Sequence, residues 1–441
     1  MSSQPAAVGH DTVTVRRMLA LTASAFLVLA AEPLYLLVDT AVVGHLGARA
    51  LGALAVGTTL MAVLAIVGTF VEYGTTARAA RWFGSDQRGR AVDEGVQASY
   101  LAVGIGLVVV VAGELLARPA VQLLAGSSTE LRGPAEHWFR IAVCGMPMVL
   151  LVLAGNGWMR GVQLTRTPVV IVLVANGLSA AASPVLVYAL HLGLVGSAWA
   201  NLGAQVVGAA LFVRALRREA TGLRPDLAVM RSQLVLGRDL IVRAAAFQAA
   251  FLVAAGVAAR MGAAQIAAHQ IGMQLWEFTA LLLDSFAIAA QSLVGAALGA
   301  SNPRAARQLA GQVARWSLGA GAAFAAVYAA GWWVIPRVFT SSPAVWHQAH
   351  VLWPWFVVML PAAGIVFGLD GVLLGAGDVA FMRTLTVIAA LGGFVPVTLA
   401  AAHWHWGIGG VWAGLTAFIA VRLVGMVWRA RGDRWLVLGT D

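Results

Sequence analysis

Residues 264–296 read AQIAAHQIGMQLWEFTALLLDSFAIAAQSLVGA. No basic residue interrupts this stretch, and its only charges are Glu277 and Asp284. About 20 mainly apolar residues suffice to cross a bilayer, so the segment is long enough to span one. Its polar residues are not scattered. Gln270, Gln274, Glu277, Asp284 and Gln291 follow one another at spacings of 4, 3, 7 and 7. At about 100° per residue they fall within about 100° of one another on a helix. The stripe rises roughly 31 Å, the depth of the hydrocarbon core. Facing lipid, each such group would cost several kcal/mol unsatisfied. It therefore lines a water-filled cavity or binds another helix. The cavity reading is expected here, with Met273 and Trp276 beside the stripe as substrate-cleft residues and His269 as packing.

The composition of the whole chain agrees. Of 441 residues, 60% are hydrophobic and 11% charged, whereas a soluble domain is about a quarter charged. Three soluble domains could not be coated by so few charges. A soluble enzyme, a disordered chain and a disulfide scaffold are excluded, and long apolar runs argue against a β-barrel. The expected fold is all-α integral membrane, with twelve spans near 17–42, 51–73, 96–117, 136–157, 168–190, 195–214, 239–260, 264–296, 312–335, 351–374, 383–402 and 408–428. No cleavable signal peptide is evident, since residues 1–14 are polar and the first apolar run is long.

The net charge is +10, and all basic residues are Arg. With the N-terminus inside, 20 Arg fall on the inner side and 5 on the outer. That is the positive-inside pattern, so both termini are expected in the cytoplasm and no nucleic-acid partner is implied. The lone Cys144 reads as packing.

The halves resemble each other at a near-constant offset. Gly193-Leu194-Val195-Gly196 matches Gly407-Ile408-Gly409-Gly410, and Gly161 matches Gly375, both 214 residues apart. His45-Leu46-Gly47 matches Arg260-Met261-Gly262, and Gly84 matches Gly299, both 215 apart. Matches in register indicate an internal repeat. Six spans per repeat give both repeats the same orientation, related by a pseudo-two-fold axis along the membrane normal with a cleft between them. The expected lobes are residues 1–222 and 223–441.

Ionisable groups inside spans mark functional sites. In span 1, Glu32 and Asp39 are seven apart and share a face with Tyr35, and Pro33 is expected to bend the helix. In span 10, Asp370 sits between Gly368 and Gly371. In span 5, Asn176, Ser179 and Ser183 share a face ahead of Pro184, and together with Asn156 they could form a polar pocket with Asp39. Glu72 and Glu114 read as interfacial acids near helix ends. Trp332, Trp333, Trp353, Trp355, Trp404 and Trp406 read as the interfacial aromatic belt.

A carboxylate in a pocket whose hydration changes can take up and release a proton. If proton and cationic substrate exclude each other, export follows proton entry; sodium could serve in place of the proton. There is no phosphate-binding Gly-x-x-x-x-Gly-Lys motif and no Lys to complete one. There is no His-Glu-x-x-His and no Gly-x-Ser-x-Gly with triad partners. These readings point to a secondary transporter without a cofactor, metal or enzymatic activity. Its coupling acids are Asp39, Glu32, Asp370, Asp284 and Glu277. Its substrate cleft is formed by Tyr35, Asn176, Ser179, Ser183, Gln270, Gln274, Gln291, Met273 and Trp276.

Several stretches carry a resemblance. Glu32-Pro33-Leu34-Tyr35 through Asp39-Thr40-Ala41-Val42-Val43-Gly44-His45-Leu46-Gly47 resembles span 1 of the multidrug and toxic compound extrusion (MATE) family, in its DNA-damage-inducible (DinF-like) branch. Ala268-His269-Gln270-Ile271, Asp284, Ala290-Gln291-Ser292-Leu293-Val294-Gly295, Arg160-Gly161-Val162-Gln163 and Asp370-Gly371-Val372-Leu373-Leu374-Gly375-Ala376-Gly377-Asp378 are similar in the same way. The resemblance implies two six-helix lobes and a central cleft. It implies export of organic, mainly cationic, drugs or metabolites against H⁺ or Na⁺, by a monomer in a bacterial inner membrane. It implies Asp39 as the coupling acid and a cation role for Asp370. Ser179 and Ser183 stand where some members carry Asn and Asp. Two alternatives remain. In a major facilitator transporter, Gly84-Ser85-Asp86-Gln87-Arg88-Gly89-Arg90 would be the signature loop, but its Asp is misplaced. A flippase for lipid or lipid-linked precursors would favour a cationic cleft, for which Arg243 is the main candidate.

Overall fold

The computed structural model describes residues 12–126 and 128–439, which form helices joined by short turns. The first lobe comprises α1 (Thr12–Gly44), α2 (Ala48–Gly84), α3 (Arg88–Ala125), α4 (Thr129–Val143), α5 (Met146–Gly161), α6 (Arg166–Pro184) and α7 (Leu194–Glu219). The second comprises α8 (Leu227–Met261), α9 (Ala263–Gly299), α10 (Pro303–Ala330), α11 (Ile335–Phe339), α12 (Pro343–Gly375), α13 (Val379–Ile388), α14 (Val395–His403) and α15 (Gly407–Arg431). A π-helical turn, Val185–Ala189, extends α6, and another, Ala389–Phe394, joins α13 to α14. Among the described residues ten helical units are long and apolar enough to cross a membrane, and the pair α4–α5, bent by 47°, makes an eleventh. α10, which carries Arg304, Arg307 and Arg315, occupies the remaining place against α9 and α12. The architecture is the expected all-α membrane fold in two lobes.

Local chemistry sets the helix starts. Asp226 caps α8 by accepting from the backbone N–H of Ala228 (2.9 Å) and Val229 (3.2 Å). Asn302 caps α10 through the Ala305 N–H (3.0 Å), with Pro303 in the first turn. Expected boundaries fail where charge and helix end do not coincide. The apolar run of span 2 stops near Tyr73, but α2 continues to Gly84, so Glu72 is an interior residue and buried rather than interfacial. Span 4 is not one helix; it breaks at Cys144–Gly145, and Pro147 opens α5. Helix α1 runs on through Pro33. Trp353 belongs to the core and not the aromatic belt; it is fully buried and its indole N–H donates to the Tyr328 carbonyl at 2.9 Å.

The repeat is written into the backbone. Left-handed φ values occur at Asp86 (60°) and Ser301 (55°), 215 residues apart. They recur at Gln163 (60°) and Gly377 (72°), and at His191 (56°) and His405 (58°), each pair 214 apart. The lobes meet on this symmetry. A Cβ on Gly84 would stand 1.9 Å from the Ala296 carbonyl oxygen, and one on Gly299 would stand 2.0 Å from that of Arg81. Residues 81 and 296 are repeat mates, as are 84 and 299. The contact is therefore isologous, and the pseudo-two-fold axis passes between α2 and α9 at this point.

These contacts lie at the end that carries most of the Arg residues, called here the basic end. The hydrogen bonds that cross between the lobes lie in the half toward it. Tyr73 donates to Asp284 (2.7 Å), the Gln291 amide donates to the Tyr73 carbonyl (2.7 Å), and the Ser292 hydroxyl donates to the Arg160 carbonyl (2.6 Å). Toward the far end, Gln270, Gln274 and Glu277 continue the same face of α9 but are exposed. The lobes are closed at the basic end and parted at the other. A valine at Gly299 overpacks a backbone contact and should cost about 1–3 kcal/mol. In detergent its thermal midpoint is expected to fall by several degrees, whereas Gly89→Ala, which meets nothing within 4 Å, leaves it unchanged or higher.

Candidate functional site

A cavity of about 240 Å³ lies within the first lobe, walled by α1, α2, α4, α5, α6 and α7. Asp39 stands in it, 1% exposed. One carboxylate oxygen accepts from the Ser183 hydroxyl (2.7 Å) and the other from the Ser197 hydroxyl (2.8 Å). Ser183 sits where α6 gives way to the π-helical turn, and Ser197 lies in the first turn of α7. Asp39 thus ties α1 to two interrupted helix ends. Glu32, one level deeper, faces the same cavity, as do Tyr35, Asn156, Asn176, Asn201 and Gln205. Ser179 is buried beside Tyr35.

The floor of the cavity is an ion pair that the sequence did not announce. Glu72 and Arg160 are both buried and directly hydrogen-bonded. The cavity walls therefore carry three acids, Glu32, Asp39 and Glu72, against one base.

The repeat shows how specific this set is. At the repeat offsets, Glu32, Tyr35 and Asp39 correspond to Phe247, Ala250 and Ala254. Glu72 and Arg160 correspond to Ala287 and Leu374, Ser197 to Val411, and Asn201 and Gln205 to Leu415 and Ile419. Each of these polar groups has an apolar mate in the second lobe; the exception in the cavity wall is Asn156, whose mate is Asp370. There the equivalent space is filled. Phe251, Met273, Trp276, Trp412, Leu415 and Phe418 leave only about 10 Å³ among them. Pairing the two halves position by position would have singled out Glu72, Arg160 and Ser197 from sequence.

The remaining expected residues separate. Asp370, expected to bind the coupling cation, lies between two guanidinium groups, accepting from Arg243 (2.6 Å) and Arg422 (2.5 Å). Arg422 also stacks 4.6 Å from the Phe247 ring centroid, a cation–π contact. With two cations on one carboxylate the cluster is net positive. Arg243 is thereby committed to Asp370 and is not a free cleft residue. Met273 and Trp276 point into the second lobe's apolar pocket, Trp276 against Phe367 with ring centroids 6.1 Å apart, and not into a cleft. Gln291 is buried as glue between the lobes, Asp284 is held by Tyr73, and Gln270, Gln274 and Glu277 face the open gap. His269 packs edge-on to Trp412.

The twelve helical units among the described residues, in two repeat-related lobes with an acidic cavity in one of them, define a multi-pass membrane transporter rather than an enzyme. The chain belongs to the MatE family, whose model matches residues 24–185 and 240–399, and its relatives place it on the DinF-like side. It is 31% identical over 430 residues to Protein DETOXIFICATION 44, chloroplastic, of Arabidopsis thaliana, covering 94% of this chain and 82% of that protein. It is 30% identical to DNA damage-inducible protein F of Escherichia coli (strain K12), covering 91% and 90%. The crystal structure of MATE in the bent conformation matches the fold with a TM-score of 0.88 over 95% of each chain at 19% identity.

Removing one partner of a buried ion pair strands the other and costs about 3–5 kcal/mol, whereas an apolar replacement of both is near neutral. Arg160→Leu should therefore lower the thermal midpoint sharply, and Glu72→Ala/Arg160→Leu, which installs the second lobe's own residues, should restore most of it. A double variant no more stable than the single one would show that the pair contributes no such term.

Proposed function

We propose that this transporter is a secondary antiporter that exports organic cations, drugs or metabolites, in exchange for protons by alternating access. The observation that carries the reading is a cavity in one lobe holding acids that have no Arg partner. Glu32 and Asp39 line a cavity whose repeat-related counterpart is apolar and filled. Three acids against one Arg attract a proton or an organic cation and disfavour both together. Binding of one then weakens the other by the same factor, which is the coupling an antiporter needs. Asp39 and Glu32 are assigned as the coupling acids. Tyr35, Asn176, Ser179 and Ser183 shape their surroundings, and Gln270, Gln274 and Glu277 line the substrate's path through the gap. Asp370 is assigned a structural role with Arg243 and Arg422, and Asp284 a role in holding the lobes together through Tyr73.

The proton is favoured over sodium by the partners of Asp39. Two hydroxyls donate to it, and a hydroxyl can turn from donor to acceptor when the carboxyl gains a proton. The lobes divide at residues 222 and 223. The basic end faces the cytoplasm of a bacterial cell, both termini with it, so this structure is outward-facing. The functional unit is a monomer. An anionic lipid-linked precursor would meet three acids in the cavity, which speaks against a flippase.

The test is efflux of tetraphenylphosphonium from proteoliposomes. A pH gradient alone should drive it and a sodium gradient alone should not. Asp39→Asn should reduce the pH-driven rate at least about tenfold, by the loss of a group essential to coupling, while the protein remains inserted and monodisperse. Retained pH-driven efflux in that variant would sink the assignment.

A further inference from the structure

A second concavity, about 850 Å³, lies on the outer surface of the first lobe between α3, α5 and α7. It is separate from the acidic cavity and takes no part in the transport reading. Its walls are apolar, formed by Val103, Leu107, Pro147, Leu151 and Val206. Its end toward the basic side is closed by Arg214, Arg217 and Arg218, all exposed. Among the described residues none of these three has an ion pair or a hydrogen bond to another protein group, although Arg88, close by, is paired with Glu219. From Val206 to Arg218 the groove follows α7 for roughly 18 Å, at about 1.5 Å per residue.

The groove comes from a local departure from the repeat. α5 starts at the 47° bend after Cys144, whereas its counterpart α12 runs unbroken from Pro343 to Gly375. Arg214 and Arg218 correspond at the same offset to Trp428 and Gly432, so the second lobe lacks two of the three charges. Topology alone would need only Arg somewhere near the helix end. It would not need three unpaired Arg at the mouth of an apolar trough.

We propose that this groove is a binding site for one anionic phospholipid of the leaflet at the basic end, with its phosphate on Arg214, Arg217 and Arg218 and an acyl chain along α7 toward Cys144. Charge complementarity fixes the choice. An organic cation of the transported kind would be repelled by the three guanidinium groups, and a zwitterionic lipid would gain less from them than an anionic one, since basic pockets between helices on this side of a membrane select anionic headgroups.

Native mass spectrometry of the full chain in detergent, with phosphatidylglycerol or phosphatidylcholine added, tests this. Phosphatidylglycerol should be retained under activation that strips phosphatidylcholine. Its apparent affinity should fall roughly tenfold or more in Arg214→Gln/Arg217→Gln/Arg218→Gln. It should be unchanged in Arg231→Gln/Arg304→Gln/Arg431→Gln, which removes the same charge elsewhere on the basic end. Cys144 lines the groove and is the only thiol, so it reports on the acyl chain directly. Phosphatidylglycerol should slow its modification by a maleimide in the wild-type protein, and phosphatidylcholine should not. Equal retention of the two lipids, equal losses in the two triple variants, or a Cys144 rate indifferent to phosphatidylglycerol would each overturn the proposal. So would protection of Cys144 by tetraphenylphosphonium and not by the lipid, which would give the groove to small molecules. If the groove variant does not fold, the wild-type thiol protection decides alone.

Discussion

The backbone approach of α2 to α9 governs the rest of the molecule. At Gly84 and Gly299 each helix backbone lies where the other's side chain would begin, and only hydrogen at Cα permits it. Inside a bilayer, helices gain nothing from excluding water and associate by close packing of small residues and by polar contacts. Here both operate in the half toward the basic end, with the glycines at that end and the Tyr73–Asp284 and Gln291–Tyr73 hydrogen bonds roughly 16 Å farther along α2, at about 1.5 Å per residue. Because the contact is reciprocal, it joins two similar bodies close to their pseudo-two-fold axis. Polar residues toward the far end, Gln270, Gln274 and Glu277, are left exposed rather than packed on a helix.

On that symmetric frame the chemistry is asymmetric. One lobe keeps a small cavity and places acids in it; the other fills the equivalent volume with aromatic and aliphatic side chains and holds Asp370 between two Arg residues. The division also explains why Asp370 and Asp39, both deep aspartates, differ in kind. Asp39 is held by two hydroxyls, whose hydrogen bonds can be rearranged, whereas Asp370 is held by two fixed charges whose release would strand a buried guanidinium.

Most of the fold was legible in the sequence because its causes are local or periodic. Apolar runs of bilayer length, the sidedness of Arg and the constant offset between halves identify two six-helix lobes before any coordinates. Asp39 and Glu32 were legible because seven residues place them on one helix face. What was not legible depends on partners far apart in the chain. Glu72 looked interfacial because its partner Arg160 is 88 residues away. Asp370 looked free because Arg243 and Arg422 lie 127 and 52 residues from it. Ser197 carried no signal of its own, and Met273 and Trp276 share a helix with the polar stripe but point the other way. The break at Cys144–Gly145 was hidden by an apolar run that continues unchanged across it, marked only by Pro147.

If substrate and proton compete for the acids of the first lobe, binding of one must expel the other. Proton release from the detergent-solubilised protein, when tetraphenylphosphonium is added in weakly buffered solution, measures that competition. The wild-type protein and Glu277→Gln are predicted to release protons on binding, and Asp39→Asn to bind with release diminished or lost. Undiminished release from Asp39→Asn would remove Asp39 from the competition and move it to another site.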